Sequence, residues 1–122
     1  MTITITCPLP HKACHPNARP HWQTKATAMK GDRAAGKLCA MDIMNILYWS
    51  YRPWKSATVQ ATFVHRTRRT RDPLNAYASL KGLIDGVVDA GLLADDDQLQ
   101  PLPAVFEVGP DPRVILVFEK VE

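Results

Sequence analysis

The sequence predicts an α+β domain in which two helices pack on a small mixed β-sheet, in the order β-α-β-α-β-β. Three observations carry the prediction. Thr2-Ile3-Thr4-Ile5-Thr6 and the run from residue 57 to about 65, where Val59, Ala61 and Phe63 share a face, have the period of two of a half-buried strand. Ala76, Leu80, Leu83, Ile84, Val87 and Val88 form one apolar helical stripe that Gly91 terminates. A strand-like run over residues 99–108 is interrupted by Pro101 and Pro103, which suits an edge position and not a central one.

In chain order, the opening strand ends at Pro8 and Pro10. Residues 11–22, with Pro16, Asn17 and Pro20 and no apolar period, read as a loop. Residues 25–48 are rich in Ala, Lys and Met and predict a helix weakened at Gly31 and Gly36, its later part carrying Leu38, Met41, Met44, Ile46 and Leu47 at helical spacing. A turn at residues 50–55 precedes the second strand. A basic loop, Arg66 to Pro73, leads into the second helix from about Asn75. The turn Gly109-Pro110-Asp111-Pro112 leads to a last strand over residues 114–121.

At 122 residues the chain is the size of one domain, since domains run to about 100–200 residues. With 46% hydrophobic and 22% charged residues it has a globular composition, neither disordered nor fibrous. No segment reaches the roughly 20 apolar residues that a membrane helix needs, and MTITITCPLP lacks the basic and apolar blocks of a secretion signal. The expected setting is the cytosol, with Cys7, Cys14 and Cys39 as free thiols and no membrane contact. Net charge is +3, but its distribution is uneven: residues 1–71 sum to +10 and residues 72–122 to −7. Folded together, these halves set carboxylates inside a basic rim, an arrangement suited to metal-dependent handling of nucleic acid phosphates.

The chemistry-bearing residues fall in the second half. Metal-assisted phosphodiester hydrolysis needs hard oxygen ligands with open positions between them. Asp72 follows a strand, Asp95 and Asp96 lie just past the next helix, and Lys81 stands in that helix's early turns, where an ammonium can meet a phosphate oxygen. Arg66, Arg68, Arg69 and Arg71 form the adjoining basic loop and read as phosphate contacts.

The run RRTRDPLNAYASLKGLIDGVVDAGLLADDDQLQ resembles the RusA family of Holliday-junction resolvases, small endodeoxyribonucleases common in phages and prophages. It combines an Arg-rich approach, a D-x-D-N-like element, a lysine and an aspartate four apart, and an aspartate pair after a Gly-ended helix. PNARPHWQTKA and GPDPRVILVFE are also similar to family members, so the resemblance covers nearly the whole chain. It implies that Asp72 is the first aspartate of D-x-D-N and Asn75 its asparagine. It further implies that Lys81 is the catalytic lysine, Asp85 the helix aspartate and Asp95 and Asp96 the acidic pair, with Asp96 the essential metal-binding carboxylate. Also implied are magnesium, with manganese able to replace it, and a homodimer that binds a four-way junction and cuts symmetric strands. Asn75 and Lys81 join the arginines as expected DNA contacts. The pattern departs at Leu74, where a second aspartate is expected, leaving the metal to Asp72 and Asp96 with Asp95 or Asp97 recruited. The interval from Asn75 to Lys81 is also three residues longer than in the shortest members.

Two rival readings stand beside the nuclease: a catalytically silent junction binder, marked by Leu74, and a basic duplex-binding module without structural preference. Cys7, His11, Cys14 and His15 lack the paired spacing of a structural zinc site. Trp49 and Trp54 read as core or dimer-interface residues, Met29, Met41 and Met44 as core filling, Trp22 as a residue near DNA, and Asp85 as a partner of Lys81 or an arginine.

Overall fold

The computed structural model describes residues 1–68 and 73–121, with Pro73 and Leu74 described by backbone alone. Strands β1 (Thr2–Cys7), β2 (Ala57–His65), β3 (Leu99–Pro101), β4 (Val105–Val108) and β5 (Arg113–Lys120) form one mixed sheet. Its order is β1-β5-β2, with β3 and β4 both on the outer edge of β2. β5 runs antiparallel to β1 and β2, whereas β3 and β4 run parallel to β2. The α+β class is as the sequence predicts.

Alternation along each strand determines which face is covered. Register sets Ile3, Phe118 and Val59 side by side, then Ile5, Leu116 and Ala61, then Cys7, Val114 and Phe63, all of them buried. The helices lie over this face, and burying its apolar surface is the main favourable contribution to folding. Threonines 2, 4 and 6 take the opposite, exposed face.

Helix α1 spans Trp22–Ile46, three residues earlier than expected, because His21 Nδ1 accepts the Gln23 N–H and caps the first turn. Of the expected Leu/Met stripe, Met44 packs on the core, but the covered face runs elsewhere. Leu38 and Ile46 are 63% and 69% exposed and Met41 is 40% exposed, while Ala28, Asp32, Gly36 and Ala40 are buried. These four recur every fourth residue and so line one side of the helix. Gly36, which has no side chain, lets α1 approach its neighbour backbone to backbone.

That neighbour is the second predicted helix, which is two helices: α2 (Pro73–Ser79) and α3 (Lys81–Ala90). Pro73 opens α2, where its missing N–H costs nothing. The two part at Leu80, with φ −84° and ψ −1°. Ser79, buried just before it, turns its hydroxyl back to the Ala76 carbonyl at 2.6 Å, a local bond that competes with regular helix. The expected stripe still packs inward, with Leu80, Leu83, Ile84 and Val87 buried, and Gly91 ends α3 in the left-handed region at φ 93°. Arg33 of α1 grips Asp89 of α3 through two hydrogen bonds across the pair.

The prolines of the outer edge split one strand into two. Leu102 N–H still reaches the Val59 carbonyl at 2.8 Å, but Pro103 has no N–H to offer. Tyr77 of α2 fills the gap, its hydroxyl accepting the Ala61 N–H at 3.0 Å and donating to the Val59 carbonyl at 3.2 Å. Burial raises the pKa of that hydroxyl, which keeps it protonated. Tyr77→Phe should therefore leave the Ala61 N–H buried without a partner and destabilise the fold by about 1–3 kcal/mol in denaturant unfolding.

Among the described residues, no helix is long and apolar enough to cross a membrane.

Candidate functional site

The break at Leu80 makes Lys81 the first residue of α3, at the positive end of that helix's dipole, where a lysine is unfavourable unless paired. It is paired twice. Its Nζ donates to Asp85 Oδ1 at 2.9 Å, one turn along the same helix, and to Asp96 Oδ2 on the loop that enters β3. Asp85 is thus the partner of Lys81, as its spacing suggests. The Asp96 loop is organised locally: Asp95 Oδ1 accepts the Asp96 N–H at 2.7 Å, and the Asp96 carbonyl accepts the Leu99 N–H at 3.1 Å.

The electrostatics follow from this arrangement. Hydrogen bonds that Lys81 donates to Asp96 first, and then to Asp85, raise its pKa above the usual lysine value. The Lys81 ammonium is the main reason that the Asp96 carboxyl lies below the usual carboxylate range. Both groups therefore stay ionised through neutral pH. Lys81 and Asp96 border an open cavity of about 400 Å³ whose other walls include Val59, Tyr77, Ile84 and Leu99. One ammonium serves two carboxylates, and Asp95 and Asp97 add charge next to Asp96 in the chain, so this rim carries a surplus of negative charge.

The remaining predicted residues are placed as follows. Asn75 lies half-buried in the first turn of α2. Arg66 and Arg68 are exposed, and Arg66 Nε donates to the Pro110 carbonyl at 3.3 Å. Arg69, Arg71 and Asp72 lie outside the described residues, so the joining of Asp72 to Asp96 is not among the observed contacts. Trp22 is 71% exposed, Trp54 is buried and Trp49 half-buried.

Magnesium is commonly held by one or two carboxylates together with phosphate and water oxygens. Among the described residues no three His, Cys, Asp or Glu side chains converge on a metal position. Asp96 contributes one carboxylate already bonded to Lys81, and Asp95 turns an oxygen to the backbone. These residues alone do not fit a complete magnesium site, and a further carboxylate is required. The Cys7, His11, Cys14 and His15 group does not assemble either. Burial, and then the neighbouring Cys39, pushes the Cys7 thiol up to about 12, and burial, and then the neighbouring Asp32, pushes the Cys14 thiol up to about 11. All three cysteines are free.

Two participants were not anticipated. Tyr77 walls the Lys81 cavity and pins α2 to β2, and nothing in its spacing signals this. Asp32 is a buried carboxylate that accepts the His11 N–H with both oxygens at 3.2 Å. An aspartate in a basic stretch of helix gives no signal of that. The chain matches no protein-family model and no curated protein sequence at a significant level.

Proposed function

We propose that this chain is a magnesium-dependent endodeoxyribonuclease that resolves four-way junctions and other branched DNA, acting as a homodimer. The observation that carries the reading is Lys81, held between Asp85 and Asp96 at the border of an open cavity, one short helix after the basic loop. An exposed ion pair of this kind adds little to stability, about 0–1 kcal/mol, so placing a lysine at a helix start for that purpose alone gains almost nothing. A cationic group there, steadied by two carboxylates, is positioned to stabilise charge on a phosphate oxygen. Arg66 and Arg68, with Arg69 and Arg71, would grip the backbone on either side, and Asn75 would contact DNA from the start of α2.

The reading requires a carboxylate beyond those seen to converge. Asp72, which directly precedes α2 in the sequence, would provide it, joining Asp96 and Asp95 around magnesium or manganese. The resemblance to RusA resolvases supports that set, and Leu74 favours the silent junction binder as the second reading, since leucine cannot ligate a metal. Two copies follow from the substrate, because a junction of near two-fold symmetry calls for two equivalent sites on a two-fold axis.

The deciding experiment is cleavage of a labelled mobile four-way junction with magnesium and with chelator, beside Asp72→Asn. Paired nicks that need magnesium and vanish in Asp72→Asn are expected. Tight junction binding without nicks would instead establish the silent binder, and equal affinity for plain duplex at moderate salt would remove both.

A further inference from the structure

Across α2 from Lys81, toward the far end of β2, lies a larger cavity of about 620 Å³. Its floor is apolar. Phe63 and Phe106, register partners on β2 and β4, stack with centroids 5.5 Å apart and planes inclined by 22°, and Ala76 of α2 lies beside them. Its rim is made by His11, Lys12 and His15, from the 3-10 turn Lys12–Cys14 and its two caps.

The rim is held in place by specific bonds. Asp32 of α1 takes the His11 backbone N–H, as described above. His11 Nδ1 accepts the Ala13 N–H at 3.0 Å, and His15 Nδ1 accepts the Asn17 N–H at 3.1 Å. With both Nδ1 atoms accepting from backbone, Nε2 is the ring nitrogen that each histidine has left to donate to a ligand. Lys12 adds an ammonium and Asn17 an amide, while no carboxylate is among the described residues lining the cavity. The nuclease reading assigns this space no role.

An aromatic floor beneath a rim of donors and positive charge complements a nucleobase joined to a phosphate. The volume is within the roughly 300–1,000 Å³ of small-ligand sites. We propose that this cavity binds one nucleotide, with the base against Phe106 and Phe63 and the 5′-phosphate at the His11–Lys12–His15 rim. The same chemistry is offered by a free nucleotide and by an unpaired nucleotide of a DNA strand. The proposal requires a nucleotide and no cleavage, so it stands or falls separately from the nuclease.

The test uses the full chain, with backbone amide NMR spectra recorded during titration with deoxyadenosine 5′-monophosphate, deoxyadenosine and inorganic phosphate. The nucleotide is expected to shift Asn17, Ala18 and Phe106 at concentrations where neither half does so. A second arm compares a duplex carrying one unpaired adenine with its fully matched counterpart. Preference for the unpaired base by about ten-fold, lost in Phe106→Leu, identifies DNA as the source. Nucleotide shifts without that preference identify the free nucleotide. Should Phe106→Leu fail to fold, Lys12→Ala, an exposed change, must weaken whichever binding is seen several-fold. The proposal is overturned if the nucleotide leaves these residues unmoved, if inorganic phosphate alone reproduces the shifts, or if Lys12→Ala binds as the parent does.

Discussion

Gly36→Ala should destabilise the protein by about 1–3 kcal/mol or more, while Gly31→Ala, five residues earlier in the same helix, should stabilise it by roughly 0.5–1 kcal/mol. Both changes put the best helix former in place of a poor one, so propensity alone predicts the same gain twice. Space reverses the sign at one position. A Cβ on Gly36 would lie 2.1 Å from the Leu83 carbonyl oxygen and 2.9 Å from its carbonyl carbon, whereas one on Gly31 meets nothing within 4 Å. The obstruction is backbone, which no rotamer change relieves, so α1 and α3 must move apart and loosen the layer that covers the sheet. Gly86 is the reciprocal position: its Cβ would lie 2.1 Å from the Arg33 carbonyl oxygen and 2.5 Å from the Lys37 nitrogen. Gly86→Ala is therefore expected to follow Gly36→Ala and not Gly31→Ala. Denaturant midpoints of the three variants check this, and equal stability of Gly31→Ala and Gly36→Ala would contradict the helix contact itself.

The same contact explains where the sequence could be read and where it could not. β1, β2 and β5 are legible because a strand with one covered face must alternate, and Ile3, Val59 and Leu116 all obey that period. Helix α1 misleads. Leu38, Met41 and Ile46 have the spacing of a core face, yet the helix is covered along Ala28, Asp32, Gly36 and Ala40, where closeness of backbones replaces bulk of side chains. Hydrophobicity does not register that kind of packing, and Gly36, read as a weakness, is what permits it. The break at Leu80 has neither proline nor glycine to announce it, only Ser79 with its bond back to Ala76.

The candidate site divides in the same way. Lys81 with Asp85 is a local pair, visible from a spacing of four on a helix. Lys81 with Asp96 depends on how the chain returns to the edge of β2: their places in the chain and the family resemblance both name the two as site residues, but neither predicts that they pair. The His11 rim is less legible still, because its order comes from a carboxylate in a helix far along the chain.

Replacing Asp96 by asparagine should lower junction cleavage by about 100-fold or more, while changing stability by no more than about 1 kcal/mol. The contrast between the two effects is the test of what the ion pair is for. Lys81 is 55% exposed on its side chain, and a pair so open to solvent cannot be a major support of the fold. The pH dependence follows the same sign. A carboxyl depressed by its partner stabilises the folded state above the ordinary carboxylate range and loses that contribution as pH falls through its lowered value, so any stability gap between Asp96→Asn and the parent should close in acid. Lys81→Met separates the roles further. It removes the ammonium that would meet the phosphate but leaves Asp96, so cleavage should fall while junction affinity, which the proposal assigns to the arginine loop, falls much less. Arg66→Ala with Arg68→Ala should do the reverse, weakening binding and flattening its salt dependence with a smaller effect on the rate of bound substrate. Cleavage at the parent rate in Lys81→Met, together with a loss of several kcal/mol in stability, would make the Lys81–Asp96 contact a structural one and move the search for the reacting groups elsewhere.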